Sequence, residues 1–387
     1  MFSSDTLSDN IRKRRRALGL SQTELASRLG VSVQAISKWE RGLCLPEIST
    51  LYELSRIFSV TVDELIDDTN PSGDKVFLAI DGGGTKTEFV LFTPNGRIMG
   101  RKLLPSTNPN TVGMERTLSV LKEGIDGLLS LSKLKVLGIY AGIAGMLSGR
   151  NADTVLAFLK ERYPCIPSLV STDIYNVIYS ASERERCLLA IAGTGTIVYA
   201  KTGEDIHRFG GWGYLLDEGG SGYNLGCGAL RAVLRENEGT GEKTILKPLV
   251  ESKIGGDIFS KITELYDGAP ASIASLAPLV FTAAKADDKA AIEIIRNSTA
   301  HLAKSIMNAR EQYGTGNTVI ISGGLLSERD IWLPMLKEAL DFTPEIIVPS
   351  LPQIFGAARR AAALFGNGES LSEEKFTEEY SRILKEV

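Results

Sequence analysis

Histidine is nearly absent: His207 and His301 are the only two in 387 residues. A histidine dyad or a His-rich metal site has almost no material here, so acid–base chemistry must rest on carboxylates. Cysteine is scarce too. Cys44, Cys165, Cys187 and Cys227 are scattered and form no Cys-x-x-Cys pair. That argues against a disulfide framework or a zinc site and makes a reducing, cytoplasmic setting the expectation. No apolar run is long enough to span a bilayer, and no secretory leader precedes the first polar segment. Two common phosphate signatures are missing as well. There is no Gly-x-x-x-x-Gly-Lys-Ser/Thr, so Lys86 is not a P-loop lysine, and no glycine loop opens a helix as Gly-x-Gly-x-x-Gly.

What is present is uneven. The net charge is −4, yet residues 1–60 hold nine Lys/Arg against six Asp/Glu, which leaves −7 on the remainder. A basic head on an acidic body points to nucleic acid for the head alone. The length implies two or three domains. Met1 to Asn10 is polar and reads as a frayed tail.

Short helical patterns fill residues 8–66. Ser21-Gln22-Thr23-Glu24 is a capping box, Leu25, Ala26 and Leu29 face inward, and Gly30 ends the helix. Ser32 caps the next helix, which buries Val33, Ile36 and Trp39 and stops near Gly42. Leu51, Leu54, Ile57 and Phe58 make another apolar face, and Thr61-Val62-Asp63-Glu64 reads as a second capping box. Two helices joined through Gly30-Val31-Ser32 form a helix-turn-helix. The run from Ser21 to Gly42 closely resembles the Cro/repressor (Xre) family. The resemblance implies operator DNA as partner, with Val33, Gln34, Ser37 and Lys38 against base edges and Gln22 and Arg41 on phosphates. On an isolated helix, Gln34 and Lys38 would read equally as a solvated face. The run Arg12 to Arg16 reads as exposed charge beside the backbone of the DNA. Residues 67–75 are turn-rich and read as a linker.

The body repeats a signal. Leu78-Ala79-Ile80-Asp81-Gly82-Gly83-Gly84-Thr85 matches Leu189-Ala190-Ile191-Ala192-Gly193-Thr194-Gly195-Thr196: strand, glycine turn, strand. Strands are expected at Val76–Ile80, Glu88–Phe92, Arg97–Leu103, Lys135–Ala141 and Ser168–Thr172, then Cys187–Ala192, Ile197–Lys201, Ile206–Phe209, Thr318–Ser322 and Ile346–Val348. Two such lobes, 76–185 and 186–366, facing across a cleft describe an α/β actin-like (hexokinase/Hsp70-type) two-lobed ATPase domain, here behind an all-α helix-turn-helix domain. Either loop alone reads as a tight turn. Repeated, Gly83, Gly84, Thr85, Lys86 and Gly193, Thr194, Gly195 can aim backbone N–H groups at the phosphates of ATP. Residues 370–387 read as one amphipathic C-terminal helix.

Across residues 76 to about 365 the body resembles the BadF/BadG/BcrA/BcrD-type ATPases and, within them, the N-acetylglucosamine kinases. The matching segments are Asp81–Thr87, Ser106-Thr107-Asn108, Ala141–Gly145, Ser171-Thr172-Asp173, Ala192–Thr196, Gly210-Gly211-Trp212-Gly213 and Ser322-Gly323-Gly324. The resemblance implies Asp173 as catalytic base and Asp81 as a Mg2+ ligand through water. It places Asn108, Gly145 and Trp212 on the sugar and Gly323 and Gly324 against the adenosine. By position alone Asp173 reads equally as a helix cap, and Trp212 as core packing. One departure stands out. The family reads Leu-Leu-Gly-Asp-Glu-Gly-Ser-Gly where this chain has Leu215-Leu216-Asp217-Glu218-Gly219-Gly220-Ser221-Gly222. Glu218 thus stands where an Asp usually contacts the sugar. The family also holds activators of iron–sulfur dehydratases, but those need clustered cysteines, which this chain lacks. The expected function is a transcription regulator that senses or phosphorylates an amino sugar such as N-acetylglucosamine. The alternative is an active sugar kinase with an accessory DNA-binding head. DNA half-sites one turn apart would imply a homodimer.

Overall fold

The computed structural model describes residues 4–58, 60, 62–66, 75–130, 135–366 and 371–385. They form two compact units, one built on residues up to Val76 and one on residues from Phe77 on. No helix among the described residues is long and apolar enough to cross a membrane.

The first unit is a bundle of α1 (Ser4–Ala17), α2 (Gln22–Leu29), α3 (Val33–Glu40), α4 (Ile48–Phe58) and α5 (Val62–Ile66). The capping box at Ser21 is complete: its Oγ accepts from Glu24 N at 3.1 Å and Glu24 Oε2 accepts from Ser21 N at 2.7 Å. Gly30 ends α2 at φ 64°. Two expectations for this unit fail. Residues 4–10 are not a frayed tail but the start of α1, which buries Leu7 and Ile11 and donates Asn10 Nδ2 to Leu65 O at 3.1 Å. Their polar composition hides an apolar position every fourth residue. Arg15 is not exposed with its basic neighbours. It is buried, ion-paired with buried Glu40, and donates Nη1 to Leu20 O at 2.6 Å. Burial would raise the Glu40 pKa, but hydrogen bonds from Arg15 and Gln22 hold it below the ordinary carboxylate range. The second capping box rests on Thr61, which lies outside the described residues, as does the linker at 67–74.

The second unit holds two five-stranded sheets. The first is ordered β3-β2-β1-β4-β5, from β1 (Lys75–Gly82), β2 (Lys86–Phe92), β3 (Ile98–Pro105), β4 (Lys135–Ile143) and β5 (Ser168–Ser171). The second is ordered β10-β9-β6-β7-β8, from β6 (Arg186–Ala192), β7 (Thr196–Thr202), β8 (Asp205–Gly210), β9 (Thr318–Ser322) and β10 (Glu345–Ile347). Each opens with an antiparallel meander and places its fourth strand beside its first. One pattern is thus built twice, as the repeat in the sequence requires.

Helices α6 (Pro109–Val112), α7 (Met114–Leu129), α8 (Asn151–Arg162) and α9 (Ile174–Ala181) accompany the first sheet. The second carries α10 (Gly222–Asn237), α11 (Leu246–Ile254), α12 (Ile258–Asp267), α13 (Ala271–Ala274), α14 (Ala277–Lys285), α15 (Lys289–Tyr313) and α16 (Arg329–Ala339). Then the chain returns. α17 (Gln353–Phe365) lies in the segment read as the second lobe, yet Ile354, Phe355 and Ala358 pack with Phe77, Ala79 and Val90 of the first sheet. α18 (Glu373–Lys385) follows it there, burying Phe376 against Phe92 and Phe355.

α17 also crosses α9, closely enough that a Cβ on Gly356 would stand 1.9 Å from Asn176 O. From the same helix buried Arg360 lies over the rings of Tyr175 and Tyr179 and pairs with Glu204 in the β7–β8 turn, tying the lobes together. Gly356→Ala forces backbone against backbone and is expected to cost about 3 kcal/mol or more. The check is urea unfolding of the full chain, with the transition of the helical unit unmoved.

Candidate functional site

The first sheet delivers its carboxylates to one place. Asp81 ends the apolar part of β1, and Asp173 sits at the N-cap position of α9, just after β5. Asp173 makes no side-chain cap; its Oδ1 accepts from Thr172 Oγ1 at 3.1 Å. It thus holds the N-cap position of α9 without a side-chain bond that caps the helix. One turn into α9, Asn176 is fully buried and donates Nδ2 to Asp81 Oδ1 at 2.6 Å and to Gly142 O at 3.0 Å. Burial pushes the Asp81 pKa up to about 7, against the pull of the Asn176 hydrogen bond, and the charge of Asp173 adds to the rise. Burial also raises Asp173, opposed by Thr172 and backbone N–H groups. The site thus holds two proton-hungry carboxyl groups with an amide fixing one of them.

Both glycine loops are tight turns. Gly83 N donates to Lys86 O at 2.9 Å in the β1–β2 turn, and Gly193 N donates to Gly195 O at 2.9 Å in the β6–β7 turn. Ser106-Thr107-Asn108 buttresses the first: Ser106 Oγ donates to Gly83 O at 2.9 Å and Thr107 Oγ1 lies 2.9 Å from Thr87 Oγ1. The second is braced by α10, whose Gly222 N and Tyr223 N donate to Gly193 O and Thr194 O at 2.7 and 3.1 Å. Gly323 lies behind it at φ 111°, where a Cβ would stand 2.3 Å from Ala192 O. Gly193, Thr194 and Gly324 open onto a cavity of about 470 Å³ whose other walls include Ala274, Pro278 and Phe281. A phosphate-sized turn beside an apolar pocket of that size suits a nucleoside.

The structure brings Asn108 and Gly145 together: a Cβ on Gly145 would lie 2.4 Å from Asn108 Oδ1. Asn110 and Asn151 extend this polar corner, with Asn151 Nδ2 donating to Gly145 O at 2.9 Å. Trp212 stands apart from them. It is 65% exposed, so it is no core residue, and Arg208 covers its ring at 4.4 Å. Asp217 closes the Trp212 loop by accepting from Trp212 N and Gly213 N at 3.0 and 3.1 Å. Glu218 faces His301 of α15, 3.7 Å away. So the acidic pair divides its work: one carboxylate clamps the loop and the other meets α15.

On the helical unit, Gln34 and Lys38 are exposed on α3, Val33 is 37% exposed, and Ser37 is half-buried. Arg41 is exposed and donates Nε to Ser37 O at 3.1 Å. Gln22 differs, because its Nε2 is spent on Glu40 at 2.8 Å. Sequence reasoning missed Asn176. Its one signal was an amide inside the apolar run Ile174–Ala181.

Known proteins bear on both units. The model for the BadF/BadG/BcrA/BcrD ATPase family matches residues 78–365, and a helix-turn-helix model matches residues 11–65. N-acetyl-D-glucosamine kinase of Dictyostelium discoideum is 26% identical over 311 residues, covering 73% of this chain and 97% of its own. A protein described as an N-acetylglucosamine kinase from Chromobacterium violaceum superposes with a TM-score of 0.54 at 22% identity over 73% of this chain and 97% of its own. A ROK family transcriptional regulator, homologous to the E. coli MLC protein, superposes with a TM-score of 0.50 at 13% identity over 94% and 96%. These two show the fold.

The raised Asp81 pKa has a sign that can be checked. The fold prefers the protonated carboxyl, so its contribution to stability is present below about pH 4 and lost as pH rises through about 7. Asp81→Asn keeps the Asn176 hydrogen bond and removes the charge. In thermal melts without ligand it should match the unsubstituted chain at pH 4 and exceed it at pH 8, by up to roughly 3–4 kcal/mol. Equal melts at pH 8 would refute the buried-charge reading.

Proposed function

The chain belongs to the BadF/BadG/BcrA/BcrD ATPase family, and on that premise we propose that it is a DNA-binding transcription regulator whose body takes ATP and an amino sugar. The observation that carries the reading is the Asp81–Asn176–Asp173 cluster at the mouth of a repeated glycine-turn fold, in a chain that also presents a helix-turn-helix. The relatives supply the sugar class: N-acetylglucosamine is named for the Dictyostelium enzyme.

Mg2+·ATP, when bound, supplies the transferable phosphoryl group and neutralises its charge. Among the described residues no three His, Cys, Asp or Glu cluster to hold a metal. Asp81 would reach the ion through water. The two turns offer backbone N–H groups to phosphates, and the 470 Å³ cavity takes the adenosine beside Gly324. Asn108 and the corner at Gly145 orient the sugar. Asp173, whose pKa burial raises, accepts the proton of the acceptor hydroxyl as general base. The retained carboxylate at Asp173 and the two intact glycine turns favour a second reading, a working kinase with a DNA-binding head.

On DNA, α3 offers Gln34 to adenine and Lys38 to guanine or phosphate. Arg41 suits the backbone. Gln22 turns away, toward Glu40, and would reach a phosphate only with its remaining N–H.

Two measurements test the reading. ATP consumption against a panel of hexoses and amino sugars should show one amino sugar preferred, and Asp173→Asn should lower turnover at least about 100-fold while that sugar still raises the melting temperature. If no sugar alters either turnover or melting, the sugar-binding body is refuted. For the head, DNA selected from a random pool should lose discrimination at one base position in Gln34→Ala, a cost of about 1–3 kcal/mol, with no change in the salt slope. A pool that stays unenriched with the unsubstituted chain would sink the regulator reading.

A further inference from the structure

α10 and α15 cross with Gly228 against Ile294, where a Cβ on Gly228 would stand 2.6 Å from Ile294 Cγ2. Beside the crossing lies a cavity of about 250 Å³. It meets the cleft described above at Glu218 and His301.

Its walls are polar for no internal reason. Arg231 and Arg235 stand one turn apart on α10 and both line it, yet neither guanidinium forms an ion pair or hydrogen bond with any described residue. Opposite them Ser298 of α15 is only 5% exposed, and its hydroxyl has no hydrogen-bond partner. A buried polar group left unsatisfied costs about 1–3 kcal/mol, so the Ser298 hydroxyl calls for a partner, water or ligand, in the cavity it lines. Asn224 and Asn297 add two more amides to the same wall.

The lining fixes the chemistry of the occupant. Two guanidiniums one turn apart bind an oxyanion with several parallel N–H donors. They do not suit a neutral sugar alone. The cavity also holds the carboxylates of Glu293 and Glu218, which would repel a bare anion but accept hydrogen bonds from hydroxyl groups. The volume suits one small molecule. We propose that the α10–α15 cavity is a second ligand site, for a small polyol that carries a phosphate or a carboxylate.

The site is placed to be felt in the cleft. Gly219 backs on His301 so closely that a Cβ would lie 2.5 Å from His301 Cβ, and His301 lines this cavity. Gly219 follows Asp217, which closes the Trp212 loop, and Glu218, which meets His301. At its other end α10 braces the second glycine turn through Gly222 and Tyr223. An occupant on Arg231 and His301 therefore bears on the supports of both loops.

The test is calorimetric titration of the full chain with glucose 6-phosphate, glucuronate, glucose and inorganic phosphate. Glucose 6-phosphate or glucuronate should bind, and which of the two binds tells phosphate from carboxylate. Arg231→Gln with Arg235→Gln changes only exposed side chains and should weaken that ligand about tenfold or more. Ser298→Ala should weaken it several-fold, and binding of neutral amino sugars in the cleft should be unchanged by the arginine pair. That last control separates this site from the proposed cleft, since loss of amino-sugar binding alone would count against the cleft. The proposal is overturned if neither charged sugar binds, if the double variant binds it as well as the unsubstituted chain, or if inorganic phosphate binds as tightly as the charged sugar.

Discussion

The body depends on one buried amide. Asn176 spends its Nδ2 on two acceptors from different strands, Asp81 Oδ1 and Gly142 O. It fits there because two neighbours have no side chain: a Cβ on Gly142 would lie 2.0 Å from Asn176 Oδ1, and one on Gly356 would lie 1.9 Å from its backbone oxygen. α9 is thereby pinned between the first sheet and α17, and Asp173 begins that helix. The two carboxylates are thus positioned by packing that lies outside the cleft. Arg360, one turn beyond Gly356, extends the same crossing to Glu204 in the second lobe. The crossing of α9 and α17 therefore has partners in both lobes.

Local signals in the sequence proved good guides and long-range ones poor. The strand–glycine–strand repeat is written in contiguous residues, and both sheets carry the same strand order. The strands at Ser168–Ser171 and Thr318–Ser322 fall where the sequence pattern puts them. The helix-turn-helix is legible because its capping residues, Ser21, Glu24 and Ser32, act within one turn. What failed depends on distant partners. Nothing in Gln353–Phe365 says which sheet it will cover, and the answer lies in Phe77 and Val90, more than 250 residues earlier. Arg15 looks like one of five exposed basic residues until Glu40 is seen to be buried against it. The shift of the acidic pair was visible. That Asp217 would clamp the Trp212 loop was not, since the clamp is made by backbone N–H groups that any sequence would offer.

The candidate site was legible in its residue types more than in its energetics. Asp81 and Asp173 stand out after strands, but their raised pKa values come from burial, which composition does not encode. Burial and the nearby charge of Asp173 outweigh Lys86 and raise the Asp81 pKa, so a bound cation there would favour the charged form. The ligand-free cleft is therefore held away from its charged form, and binding must supply the difference.

That cost bears on how a kinase-like body can serve a regulator. Turnover requires stabilisation specific to the transition state, whereas sensing requires only that ligand binds one conformation better than another. A carboxylate displaced one place along the 215–222 loop leaves the hydrogen bonds of both glycine turns and of Asn176 in place. Such a change can cost turnover and still spare closure. Conversely, closure coupled to DNA binding cannot exceed the differential affinity of the ligand for the closed state, so a sensing body gains from tight, unspent ground-state binding. An enzyme gains from the reverse. Ground-state binding is therefore where a sensor and a kinase built on one fold part company.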